Sequence, residues 1–116
     1  MHEMGIALQI IDIAKESIPD SLKETPVEFV NINVGKLSAV IPDNLKFCFS
    51  VVAKDTQFEG AELNITELPV VAVCLNCNNR WTVDNPVFSC PNCSGGKLDL
   101  VSGQELDIVS IELKET

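Results

Sequence analysis

Positive charge is scarce in this sequence. Eight Lys and Arg stand against 17 Asp and Glu in 116 residues, a formal net charge of −9 at pH 7. A generic binder of phosphate backbones is therefore disfavoured and basic partners suit the chain better. No stretch approaches the roughly 18 consecutive apolar residues of a membrane span. The opening Met1-His2-Glu3-Met4-Gly5-Ile6 has no basic segment leading into an apolar one that ends in small residues, so no secretory signal is expected and the chain reads as cytoplasmic. Histidine occurs once, at position 2. There is no Gly-rich phosphate loop and no serine or cysteine evidently paired with a base, so an enzyme is not expected. Low-complexity segments and repeats longer than a cysteine pair are absent as well.

What is present is enough for a core. Leu, Ile, Val and Phe make up about a third of the chain, above the level at which composition alone leaves a chain disordered. The length suits one compact domain, or a small one carrying an inserted module.

Apolar residues at Met4, Ala7, Leu8, Ile11, Ala14 and Ile18, widened by Ile6, Ile10 and Ile13, predict an amphipathic helix from the start of the chain. Gly5 is expected to delay its beginning by a residue or two. Alternation over Val27–Val34, stopping at Gly35, predicts a strand. Pro42 and Asp43 open a second helix with Leu45, Cys48, Phe49 and Val52 on its inner face, where Cys48 reads as a core residue. Glu62–Thr66 and Glu105–Leu113 read as further strands.

Between Val70 and Gly103 the composition changes. Arg80 and Lys97 balance Asp84 and Asp99, so the whole negative charge lies outside this neutral stretch. The expected fold class is α+β, a small two-helix domain with a mostly antiparallel three-stranded sheet plus an inserted zinc-ribbon-like module. The domain takes residues 1–69 and 104–116, and the module 70–103.

The module holds Cys74-Leu75-Asn76-Cys77 and Cys90-Pro91-Asn92-Cys93. Two residues between thiolates let one tight turn present both sulfurs to a single ion, and a second such turn completes a tetrahedron. Four sulfurs fill the coordination sphere of Zn²⁺ and leave no place for a reactive water, so Cys74, Cys77, Cys90 and Cys93 are expected to hold structural zinc. Deaminase chemistry is disfavoured by the lack of His-x-Glu and Pro-Cys-x-x-Cys patterns. Rubredoxin-like iron and a nucleic-acid-binding ribbon stay open as alternatives. Trp81 and Phe88 are expected to form the module's small core, which should be disordered without metal.

His2 has an unusual option. The α-amine of Met1, the deprotonated backbone nitrogen of His2 and its imidazole can close two adjoining chelate rings nearly in one plane. Such nitrogen donation suits Ni(II) or Cu(II), with the backbone nitrogen or side chain of Glu3 completing the set. On the first helix Gln9, Asp12 and Glu16 fall on the polar side, either as partner-facing positions or as merely solvated ones.

Met-His-Glu opening directly into a helix, the Leu45-Lys46-Phe47-Cys48-Phe49 helix, the paired Cys-x-x-Cys motifs and the acidic-apolar final strand together resemble the HypA/HybF hydrogenase maturation factors over essentially the whole chain. The resemblance implies a nickel metallochaperone serving [NiFe]-hydrogenase, and in some bacteria urease. It implies work with the GTPase HypB and the hydrogenase large subunit, with a homodimer among the expectations. It implies Ni(II) as cargo at His2, the Met1 amine and Glu3, and Zn(II) as a structural ion at the four cysteines. A zinc-ribbon adaptor without nickel transfer is the rival reading.

Overall fold

The computed structural model describes residues 3–84 and 88–115. The order is α1 (Glu3–Ser17), β1 (Val27–Gly35), α2 (Pro42–Val52), β2 (Glu62–Leu68), β3 (Val71–Cys74), β4 (Arg80–Thr82), β5 (Leu98–Ser102) and β6 (Leu106–Leu113). One sheet has the order β2-β1-β6 and the other β4-β3-β5, giving the expected α+β class. The chain divides into two compact units, one of Met1–Asn33, Val40–Thr66 and Asp107–Thr116, the other of Val34–Ala39 and Glu67–Leu106.

In the first unit α1 packs on α2. Ala7, Ile10, Ile11 and Ala14 are buried, and Ile18 just beyond the helix joins them. The stripe is rotated from the expected one, since Leu8 is 50% and Met4 37% exposed. α1 carries more apolar residues than one face can bury. The alanines at 7 and 14, fully buried, decide which face is used because their small side chains permit close approach. Gly5 does not delay the helix, which already includes Glu3. A helical glycine costs about 1 kcal/mol relative to alanine, less than the burial of two isoleucines returns at roughly 1.5–3 kcal/mol each.

Pro42 opens α2 with its ring at a position that needs no N–H, and the Leu45 amide donates to the Ile41 carbonyl at 3.0 Å. Leu45 and Phe49 are the buried residues of α2, with Phe58 buried beyond it. Cys48, expected in the core, is only half-buried. Leu45 and Phe49, four residues apart, take the centre of the inner face and leave Cys48 on its flank.

β1 is the middle strand of its sheet and buries Val27, Val30, Ile32 and Val34. It runs antiparallel to β6, since the Gly35 amide donates to the Glu105 carbonyl and the Lys114 amide to the Pro26 carbonyl, each at 2.8 Å. Side chains tie the same three strands together. Asn64 Nδ2 donates to Asn31 Oδ1 at 2.8 Å, while Asn31 Nδ2 donates to Ser110 Oγ at 3.0 Å and Glu112 Oε2 at 2.9 Å.

In the second unit β3 pairs antiparallel with β4 (Ala72 opposite Trp81) and with β5 (Cys74 opposite Leu98). Its buried residues include Val34, Val70, Ala72, Cys74 and Cys90. Trp81 is half-buried opposite Ala72, whereas Phe88 is 44% exposed and forms no core. Sulfur and small aliphatic groups fill the interior that the aromatics were expected to fill.

Backbone meets backbone at Gly35. A Cβ there would lie 2.1 Å from the Gly103 carbonyl carbon and oxygen and 2.5 Å from the Gln104 nitrogen. Gly103 itself sits at φ 117°, a conformation that favours glycine, and its carbonyl accepts from the Leu37 amide at 2.7 Å. Gly35→Ala should therefore lower unfolding stability by about 3 kcal/mol, the upper range for overpacking. Chemical denaturation measures it, and a loss under about 0.5 kcal/mol, the size of an ordinary surface substitution, would show that the backbone simply yields.

Candidate metal centre

The two cysteine pairs fold into matching turns. The Asn78 amide donates to the Cys74 carbonyl and the Ser94 amide to the Cys90 carbonyl, each at 2.9 Å. Asn78 and Ser94, each four residues past its first cysteine, take left-handed φ values of 63° and 61°. The amides of Cys74 and Cys90 then donate to the carbonyls of Asn79 and Gly95, five residues on, at 2.8 and 2.9 Å. Inside each turn a backbone amide points at the first sulfur, Asn76 N at Cys74 Sγ and Asn92 N at Cys90 Sγ, both at 3.4 Å.

These knuckles bring all four sulfurs within 4.8 Å of one another. Cys74 Sγ lies 3.5 Å from Cys93 Sγ, and Cys77 Sγ 3.6 Å from Cys90 Sγ. Four sulfurs held tetrahedrally at about 2.3 Å from Zn²⁺ lie about 3.8 Å apart, and a disulfide would need about 2.05 Å. The cluster fits zinc with no open position. Cys74 and Cys90 are buried, Cys77 is half-buried and Cys93 exposed. Gly95 lies against the cluster, where a Cβ would stand 3.3 Å from Cys93 Sγ, a tight contact, and 3.8 Å from Cys74 Sγ, an ordinary one.

The donors around the sulfurs set their charge. Burial pushes the Cys90 thiol up, but the backbone N–H groups of Cys93 and Asn92, with the thiols of Cys77 and Cys93, outweigh it and bring it down to about 6. Cys93 is also lowered, by the Gly95 N–H first and the Asn76 side chain next. For Cys74 the Cys77 N–H works downward, yet burial and the neighbouring thiols leave it raised.

The asparagines and Gly95 were not singled out from the sequence. In both knuckles Asn occupies the position before the second cysteine, a repetition of Cys-x-Asn-Cys that was the available signal. Asn76 Nδ2 reaches Cys93 Sγ at 3.7 Å, Asn92 Nδ2 reaches Cys77 Sγ at 3.6 Å, and Asn79 Nδ2 lies 3.9 Å from Cys90 Sγ.

Of the residues expected at the nickel site, Met1 and His2 lie outside the described residues. Glu3 stands in the first turn of α1, where its Oε2 accepts from the Ile41 amide at 3.3 Å. Gln9, Asp12 and Glu16 are all exposed on α1. Among the described residues no helix is long and apolar enough to cross a membrane.

Two matched knuckles converging four thiolates on one point, carried on a small α+β chain, define a protein with a closed, structural type of metal site. The family model described as hydrogenase/urease nickel incorporation, metallochaperone, HypA matches residues 1–113. The hydrogenase maturation factor HypA of Desulfosudis oleivorans is 55% identical over 115 residues, covering 99% of this chain and 100% of that protein. The factor of the same name from Desulfatibacillum aliphaticivorans is 53% identical, covering 99% and 88%. The solution structure of the Ni metallochaperone HypA from Helicobacter pylori shares the fold with a TM-score of 0.69 at 20% identity, covering 97% of each chain. The chain belongs to the HypA family of nickel metallochaperones.

Proposed function

We propose that this chain carries Ni(II) at its N-terminus, through the Met1 α-amine, the backbone nitrogen and imidazole of His2, and Glu3, and hands it on for hydrogenase maturation. Nickel is cargo here, and nothing in the transfer requires bond making in a substrate, so the chain acts without catalysis. Zn(II) held by Cys74, Cys77, Cys90 and Cys93 is a resident ion that keeps the module of residues 70–103 folded, while residues 1–69 and 104–116 form the nickel-binding domain. The work takes place in the cytoplasm, with the GTPase HypB and the hydrogenase large subunit as partners.

The observation that carries this reading is the family match over residues 1–113, which takes in both Met1-His2-Glu3 and the two cysteine pairs. The chemistry agrees with it. A terminal amine, an amide nitrogen and an imidazole favour a square-planar ion, whereas four thiolates in a closed tetrahedron favour zinc. The two metals are thus sorted by donor type and geometry. A cargo site must also release, which fits an affinity of roughly micromolar, about 8 kcal/mol.

Adding one residue before Met1 tests the amine directly. The extension turns the α-amine into an amide and displaces the chelate, so nickel binding should weaken by about tenfold or more, some 1.4 kcal/mol, in a calorimetric titration of zinc-loaded protein. Equal affinity with and without the extension would remove the amine from the ligand set.

A further inference from the structure

Asn76 and Asn92 each touch two sulfurs, one in their own knuckle and one in the other. The Asn76 backbone amide donates to Cys74 Sγ and its side-chain amide to Cys93 Sγ, while the Asn92 backbone amide donates to Cys90 Sγ and its side-chain amide to Cys77 Sγ. The pattern has approximate twofold symmetry. For these two residues the backbone amides serve the buried inner sulfurs of Cys74 and Cys90, and the side-chain amides cross over to the outer ones, the half-buried Cys77 and the exposed Cys93. The Gly95 N–H on Cys93 and Asn79 Nδ2 at 3.9 Å from Cys90 Sγ add donors outside the pair.

The outer sulfurs are where a bound ion is vulnerable. Cys93 is exposed and Cys77 half-buried, so a competing ligand or water would have access to these two sulfurs before the buried pair. An amide N–H on a thiolate withdraws charge from the sulfur and holds it in place. Four thiolates around Zn²⁺ carry a net charge of −2, and Arg80 and Lys97 are the module's only cations against Asp84 and Asp99. With the module's two cations balanced by two acids, hydrogen-bond donors take a share in offsetting that charge.

We propose that Asn76 and Asn92 form a crossed pair of donors that clamps the two knuckles together through their outer thiolates and thereby controls how fast the resident ion is released. Turn formation alone does not explain the side chains. The left-handed residues that close the turns are Asn78 and Ser94, and the backbone amides of 76 and 92 would reach the inner sulfurs with most side chains. The inference rests on the reading that the four cysteines hold zinc.

The test uses the full zinc-loaded chain, the double variant Asn76→Ala/Asn92→Ala and the double variant Asn76→Asp/Asn92→Asp. Zinc transfer to an excess of a chromogenic chelator is followed at neutral pH, and the sulfur-to-metal charge-transfer band is recorded after Co(II) substitution. The alanine pair should release zinc about tenfold faster or more, in the range found when groups supporting metal ligands are removed. The aspartate pair should be faster still, because a carboxylate sets negative charge against the thiolates, and in the alanine pair the Co(II) band should move to lower energy. An aspartate pair that behaves as wild type would overturn the clamp, since aspartate replaces asparagine well in turns and only a turn-forming role would be indifferent to the exchange. Wild-type release and an unmoved band in the alanine pair would overturn it too. Wild-type protein found by elemental analysis to hold no zinc fails the zinc reading itself, a result distinct from either.

Discussion

His2→Ala should lose nickel binding by about a hundredfold or more, near 3 kcal/mol, while keeping one zinc per chain. The imidazole is the one side-chain nitrogen donor of its kind in the sequence, since His2 is the only histidine. Without it the proposed chelate would lose a ring, and the amide nitrogen would lose the neighbour that anchors the ion beside it. The four cysteines lie far along the chain, in the other compact unit, and their thiolates are a closed set, so zinc should be untouched. Calorimetric nickel titration of wild type and variant, with elemental analysis of both, decides the matter. Equal nickel uptake by the two proteins would place the cargo site elsewhere and favour a ribbon that carries no nickel.

The second large effect is expected at Cys90. Cys90 is 2% exposed, its amide and carbonyl close the second knuckle, and its thiol is the one lowered to about 6. Structural zinc sites contribute on the order of 10–16 kcal/mol to the folding of small metal-bound units, and the second unit has few large buried side chains to replace that. Cys90→Ser should therefore abolish zinc binding and unfold the second unit. The sequence provides separate reporters. Trp81, the only tryptophan, lies on β4 in the second unit, whereas α1 and α2 both lie in the first. In Cys90→Ser the Trp81 emission should shift to the red while most of the helical circular dichroism remains. Blue emission retained in metal-free variant protein would show that the unit folds without its ion.

Legibility in the sequence followed the length of the pattern. The alternation of β1, the Ile-, Val- and Leu-rich run with interleaved acids of β6, and the Pro42 start of α2 are long or distinct enough to show. β3, β4 and β5 have four, three and five residues, too short for period two to stand out in a stretch of Asn, Gly and Cys, and they went unread. The four cysteines needed spacing alone. The face of α1 was misplaced because Met4, Leu8 and Ile13 are as apolar as the residues that are buried, and only packing against α2 distinguishes them. The membership of residues 34–39 in the second unit follows from the Gly35–Gly103 approach, a backbone contact that no side-chain pattern encodes. Asn76 and Asn92 were not singled out because the partners of their side chains come from the opposite knuckle.

The sheet of the first unit depends on one amide in a way its apolar core does not. Asn31 uses its oxygen toward β2 and its nitrogen toward β6, so a single uncharged side chain serves as acceptor on one flank and donor on the other. Aspartate at this position would keep the first bond and set a carboxylate against Glu112, and leucine would keep neither. The pairing is also specific to alignment. Shifting β6 by one residue would bring Val109 or Ile111 to Asn31 in place of Ser110, and the amide would lose its partners together with the fit of the strand. Asn31 thus acts as a keyed joint, admitting one alignment of the last strand and refusing its neighbours.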